Sequence, residues 1–184
     1  NFMTTAYAVD LTIDRTSGSL VEAGSYVGKM RVAMDTIALA TTDIDDDDII
    51  HMVAVPSNAK IVSIKLSNDD LDSHGSPTLV TDVGLYVGET KFTDTDGSAT
   101  AYAAGAVIDR DCYGTTMTTL QAAASDTEVL HETRNINAIS NFVWEDGGLT
   151  SDPGVPLYVS LTIETVAATA VAGDVTMVVT YVVN

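Results

Sequence analysis

One cysteine, one tryptophan and eight basic residues are all that this chain of 184 contains of those three kinds. The lone Cys112 excludes a disulfide framework or a thiolate metal site within one chain. It reads as a buried structural thiol, the usual condition of a free cysteine. Against eight bases stand 26 acids, giving a formal net charge of −18. Such a field repels phosphate backbones and anionic bilayers, so neither nucleic acid nor a membrane surface is expected as a partner. No stretch approaches the roughly 18 apolar residues of a membrane span. "NFMTTAYAVD" has neither the basic start nor the apolar core of a secretory signal. Aromatic residues are 6% of the chain, few for stacking platforms.

What is present is apolar. Hydrophobic residues make up 46%, charged ones only 18%, and mean hydropathy is +0.20. A chain so poor in charge is expected to hide part of its surface against copies of itself or another protein. Its length suits one domain with a full core. The acids are scattered through turn-like segments, which marks a solvated surface and not an acidic tail.

The pattern is one of strands. "KIVSIKLS" places Val62, Ile64 and Leu66 on one face, and "LYVSLTIET" places Leu157, Val159, Leu161 and Ile163 on one face. "DVGLY" and the residues after it add Val83, Leu85 and Val87. This is the period-2 signature of half-buried strands. Segments rich in Asp, Gly, Ser and Pro divide them, among them "SNDDLDSHGSP" and "EDGGLTSDPG".

In "KMRVAMDTIALA" the parity of Met30, Val32 and Met34 gives way to that of Ile37 and Leu39, which predicts a bulge or bend near Asp35–Thr36. In "VTMVVTYVV", Val175, Met177, Val179, Tyr181 and Val183 share a face, while Val178 and Val182 make the other apolar too. That strand is expected to be covered on both sides, either by its own sheet partner or by another subunit. Only "GTTMTTLQAAAS" suggests a helix, through Met117, Leu120 and Ala124. Its threonines limit it to two or three turns.

The expectation is therefore all-β: a jelly-roll-like β-sandwich over residues 26–184 with one short helix, preceded by an extended N-terminal arm over 1–25. The predicted inward set is Val62, Ile64, Leu66, Val83, Leu85, Leu161, Ile163, Met177 and Val179.

"DIDDDDIIHMVAVP" sets five carboxylates before an apolar run. A calcium loop of the EF-hand kind needs Gly at its sixth position and a bidentate Glu at its twelfth. Counted from Asp43 those positions hold Asp48 and Ala54, so the acids read as the solvated turn before a strand, and no metal site is assigned. A carboxylate pair for glycoside hydrolysis has no specific support among so many acids. His51, His74 and His131 lie far apart and in no nucleophile motif. His51 reads as a structural histidine of a strand. No catalytic residue and no cofactor is assigned, and the chain is not expected to be an enzyme.

The order of segments resembles a family. "VPSNAKIVSIKLSNDDLD" and then "VTDVGLYVG" are similar to the VP-x-x-A-[KR]-[IV] and D-[VL]-G-L-Y strands of tailed-bacteriophage head decoration (cement) proteins. "GKMRV" precedes them. "IDRDCYGTTMTTLQAA", "DPG", "PLYVSLTIETV" and "GDVTMVVTYV" follow in family-like order, across roughly residues 27–183. The resemblance implies a jelly-roll-like domain on the outer surface of a phage capsid, commonly trimeric, made in the host cytoplasm. Its implied work is to bridge neighbouring major capsid protein subunits and to resist internal pressure.

Apolar content, the apolar Val178 and Val182, and the resemblance together predict a homo-oligomer, a trimer in that family. Phe2, Tyr7, Leu11 and Ile13 are apolar residues in a polar arm. With Val178 and Val182 they form the expected partner interface. Two other readings stay open at this point. One is a carbohydrate-binding or adsorption module using Tyr102 or Trp144. The other is a different virion part, such as a head fibre or minor tail protein.

Overall fold

The computed structural model describes residues 29–94 and 100–183. The expected arm, with Phe2, Tyr7, Leu11 and Ile13, lies outside them. The body running from Met30 to Val183 forms one unit. Among the described residues it holds ten strands: β1 (Lys29–Leu39), β2 (Ile49–Pro56), β3 (Lys60–Asn68), β4 (Val80–Val87), β5 (Phe92–Asp94), β6 (Thr100–Tyr102), β7 (Val107–Met117), β8 (Ala124–Glu128), β9 (Pro156–Thr165) and β10 (Gly173–Val183).

Two four-stranded sheets lie in the orders β1-β10-β3-β8 and β2-β9-β4-β7, and β5 and β6 form a separate hairpin. Leaving that hairpin aside, the chain changes sheet at every step except from β4 to β7. This is the strand order of a jelly roll, two Greek keys folded into a double sheet. The fold expected from the sequence is the fold observed.

The core lies between the sheets. Ile64, Leu66, Val83, Leu85, Leu161, Ile163, Met177 and Val179 of the predicted inward set are all buried in it. Val62 is the exception, at 42% exposure. The pairing of β10 with β3 steps from Thr180 opposite Ser63 to Tyr181 opposite Ile61, so Val62 is the extra residue of a bulge. The bulge turns Val62 outward and puts Ile61 into the core in its place. A similar step in β2, between His51 and Val53, explains why Met52 and Val53 are buried side by side.

β1 needs no bulge to account for its two apolar sets. Ala33 packs against the core and Leu39 is buried. Thr36, of the opposite parity, meets the Thr176 hydroxyl at 2.8 Å beside the buried Val175 and Met177. Alternation thus puts Ala33, Ile37 and Leu39 on the inner side and Met30, Val32 and Met34 on the outer. The parity change is that between the two faces of one strand.

β4 departs from half-burial: every residue from Thr81 to Val87 is buried. The cause is a detour in β7. Val83 pairs with Gly114 but Leu85 with Asp109, which leaves Arg110–Tyr113 opposite Gly84 alone. A Cβ on Gly84 would clash with the Asp109 and Arg110 backbone, so glycine stands where two main chains nearly touch.

The predicted helix at 114–125 is not formed. Gly114–Met117 ends β7, Thr119–Gln121 makes a single 3-10 turn over the buried Leu120, and Ala124 opens β8. β-branched threonines suit a pleated strand better than a helix. The α-helical turn among the described residues is instead α1 (Val143–Asp146), where Glu145 accepts the Phe142 N–H at 2.8 Å.

Candidate functional site: the outer face of one sheet

Most polar chemistry in the molecule is spent on holding loops. The acid run is a series of turns: the Asp43 carboxylate accepts the Ala40 N–H and that of Asp48 accepts the Asp45 N–H. Asp47 takes up φ 65°, and the Asp47 and Ile163 amides cross-bond the turn to β9. The acids therefore end a turn and introduce β2, as their sequence suggests. Among the described residues no three His, Cys, Asp or Glu side chains converge as metal ligands.

Asp72, from "NDDLDSHGSP", sits at 1% exposure. Its carboxylate accepts backbone N–H bonds from Thr78, Leu79, Ala168 and Thr169 at 2.7–3.1 Å. Burial alone would raise its pKa, but these amide donors outweigh burial and hold the carboxyl far below the usual range. It joins the β3–β4 loop to the β9–β10 loop. Sequence reading saw a turn there and missed the hub, because its partners lie up to 97 residues away.

Two further buried carboxylates do similar work. Asp82 accepts from Arg110 Nε at 2.6 Å and from the Thr116 N–H at 3.0 Å. Asp146 pairs with Arg134 at 2.8 Å, both side chains nearly sealed from solvent, and the Tyr113 hydroxyl donates to it. Arg134 also donates to the Ala138 carbonyl.

The histidines are dispersed. His51 Nδ1 hydrogen-bonds Ser160 Oγ at 2.8 Å, and its ring packs on Tyr158 and Tyr86. Burial lowers the His51 pKa and Glu89 partly offsets that. A hydroxyl beside an imidazole is the beginning of a nucleophile pair. Here the serine is wholly buried under the sheet surface, out of reach of a substrate carbonyl. His74 Nδ1 is paired with the backbone of Ser76, and His131 Nδ1 faces the Arg134 carbonyl. Cys112 packs against the core, and burial, then the neighbouring Asp109, push its thiol well above the usual range. That holds it as an inert thiol. Tyr102 stacks on Phe92 at 5.0 Å and Trp144 lies parallel to Phe142 at 6.4 Å.

The outer faces of the two sheets differ. On the β2-β9-β4-β7 sheet the outward side chains of the middle strands are polar and closed over one another: Asp82, Ser160 and Thr162 are buried there, and the Tyr86 hydroxyl meets that of Thr162 at 2.5 Å, while Ile49 and Val107 stand exposed on the edge strands. On the β1-β10-β3-β8 sheet apolar side chains stand open among polar ones such as Thr36, Thr176, Lys60 and Lys65. Met30 and Met34 are each 66% exposed and Val32 51%. On β10, Val178 stands opposite Lys65 and Val182 opposite Lys60. Both valines are half-buried between neighbouring strands. The exposed Val62 completes the strip. Two residues of the expected interface therefore share a surface with three methionine and valine side chains of β1 that sequence reading had not assigned to it. Their common parity was the available signal.

Beside this face, a groove of about 420 Å³ runs between the end of β1 and the start of β2, lined by Ile37, Leu39, Ile49, Ile50, Asp43 and Asp48 among others.

No protein-family model matches the chain, and no curated protein matches it. Two solved structures share its fold. A chain of the cyanophage Pam1 capsid asymmetric unit is 20% identical with a TM-score of 0.54, over 86% of this chain and 88% of that one. A chain of the capsid of Ralstonia phage GP4 is 21% identical with a TM-score of 0.60, over 85% and 86%. The similarity at this identity is one of fold.

Proposed function

We propose that the chain is a non-catalytic structural protein of a tailed-phage virion. On this reading it decorates the outside of the head and reinforces it by bridging neighbouring major capsid protein subunits. The observation that supports this most is the jelly roll itself, shared over 85% or more of the length with chains from two phage capsids. The decoration-protein resemblance of "VPSNAKIVSIKLS" and "VTDVGLY" points the same way. So does an open, partly apolar sheet face beside buried polar groups already occupied with loop contacts. Repeated around a symmetric shell, many modest contacts give high avidity without one strong site.

The working unit in this reading is a homo-oligomer, a trimer as in the resembled family. The contacts come from Val178 and Val182 of the sheet face, and from Phe2, Tyr7, Leu11 and Ile13 of the N-terminal segment. A glycan-binding role would need aromatic faces free for sugars, and Tyr102 and Trp144 already have ring partners.

Copy number tests the assignment. Quantitative mass spectrometry of purified virions carrying this chain should find it near the abundance of the major capsid protein. A few copies per particle would identify a tail or fibre part and overturn decoration. Deleting residues 1–13 should weaken binding to heads stripped of this protein more than it lowers the melting temperature. The reverse order would remove the N-terminal segment from the interface.

A further inference from the structure

β1 and β2 are the outermost strands of their sheets, and the groove of about 420 Å³ lies between them. A second hollow of about 180 Å³ shares Ile37 and His51 with it and continues to Asp35 and Met52. Together they make one seam along both strands. Among the described residues no backbone hydrogen bond crosses it. Each strand therefore has a row of N–H and C=O groups without a strand partner. β1 is 11 residues long, and all of them but Ala33 and Leu39 are exposed. An edge so long and so open is a template for another strand. The seam is apolar within and acidic at its rim. Ile37 and Ile49 stand exposed in it. Asp35, Asp43 and Asp48 line it and no Lys or Arg does. Asp43 and Asp48 each give one carboxylate oxygen to their turn, which leaves the other for a ligand. Arg31 lies earlier on β1, and Arg110 is paired with Asp47 and Asp82.

We propose that the seam between β1 and β2 takes up, as an added strand, an extended segment of a different protein in which apolar and basic residues alternate. In strand addition the main chain supplies affinity, and alternate side chains supply specificity. Residues of one parity lose water against Ile37 and Ile49. Bases of the other parity reach Asp35, Asp43 and Asp48, where charge is complementary. Charge also argues against a second copy as the occupant. A copy carries −18 and meets an acid rim with repulsion. Its bases do alternate with apolar residues at Lys29–Val32, but those residues belong to β1 itself. The inference rests on the proposed function, in which the segment belongs to a capsid subunit. It adds to that reading the mode of the contact and the composition of the segment.

The test is fluorescence anisotropy of the full-length chain with a labelled decapeptide of alternating lysine and valine. Two control peptides go beside it: a glutamate–valine decapeptide, and the lysine–valine one with N-methyl groups that block its hydrogen-bonding edges. Asp43→Asn with Asp48→Asn keeps the side-chain acceptors of the turn and removes two charges. Ile49→Lys, at an exposed position, is the second variant should the first fail to fold by circular dichroism. The lysine–valine peptide should bind the wild type and weaken about tenfold or more in either variant and on N-methylation. The glutamate–valine peptide should not bind. No binding by the full-length chain, equal binding of the N-methylated peptide, or indifference to the variants would overturn the inference. Binding that appears only after deletion of residues 1–28 would assign the seam to the chain's own N-terminal segment. Self-association dispersed by the peptide would assign it to a second copy. Either result overturns a different protein as the occupant. Head binding separates the inference from the proposed function. Variants that lose the peptide but bind heads undiminished leave decoration standing and remove the seam from it. A chain that binds the peptide as described but ignores heads does the opposite.

Discussion

Removing the Asp72 carboxylate should be among the most damaging single changes away from the apolar core. The group is 1% exposed and accepts four backbone N–H bonds of 2.7–3.1 Å. A fifth, from His74, is longer at 3.4 Å. Hydrogen bonds to a charged group are worth about 1.5–3 kcal/mol each, and a buried donor left unpaired costs about 1–3 kcal/mol. These costs do not add fully, because loops at the end of the sandwich can partly turn to water. Asp72→Ala is therefore expected to cost about 3–5 kcal/mol, a large share of the roughly 5–15 kcal/mol that holds a domain. Asp72→Asn should cost less, since one carbonyl oxygen still accepts.

The pH dependence of Asp72 carries its own sign. The folded carboxyl lies far below its ordinary value, so its contribution is complete above the unfolded pKa of about 3.9. It is lost as pH falls from there through the folded pKa. In that window the unfolded chain binds a proton that the native one does not, and wild-type stability falls by up to about 1.4 kcal/mol per pH unit from this group. Asp72→Asn should flatten that decline. Urea unfolding of both proteins at pH values from 7 down to 3 measures it. A cost below about half a kcal/mol at pH 7, or an unchanged acid slope, would refute the account of Asp72 as a charged hub.

Leu161→Ala, in the sealed core, should cost about 2–5 kcal/mol, whereas Val62→Ala, on the bulge, should fall within about 0.5 kcal/mol of wild type. The pair measured by chemical denaturation reads the register of the fold. Arg134→Met leaves Asp146 buried without its partner and should cost about 3–5 kcal/mol; adding Asp146→Leu should recover much of that in a double-mutant cycle. Gly84→Ala forces the β7 backbone away from β4 and is expected to cost about 1–3 kcal/mol or more, seen as a lower melting temperature.

The inward residues of β9 and of most of β3, the acid turn before β2 and the all-β character were legible in the sequence, because each rests on spacing between near neighbours. Side chains of a strand alternate whatever the strand packs against. That local rule could name the two faces of β1 but not choose the one that meets the core. The choice belongs to β10, which lies some 140 residues along the chain at Thr176 and holds Thr36 on the outer side. In the same way, the Val62 bulge depends on the strand beside it. The detour of Arg110–Tyr113 exists because β4 presents a glycine where the chains cross. Asp72 became a hub only when folding brought Ala168 and Thr169 to it. The open, partly apolar strip is likewise a product of strand order. Met34, Lys60, Lys65 and Val178 come from three distant segments, and only the β1-β10-β3 arrangement makes them one surface.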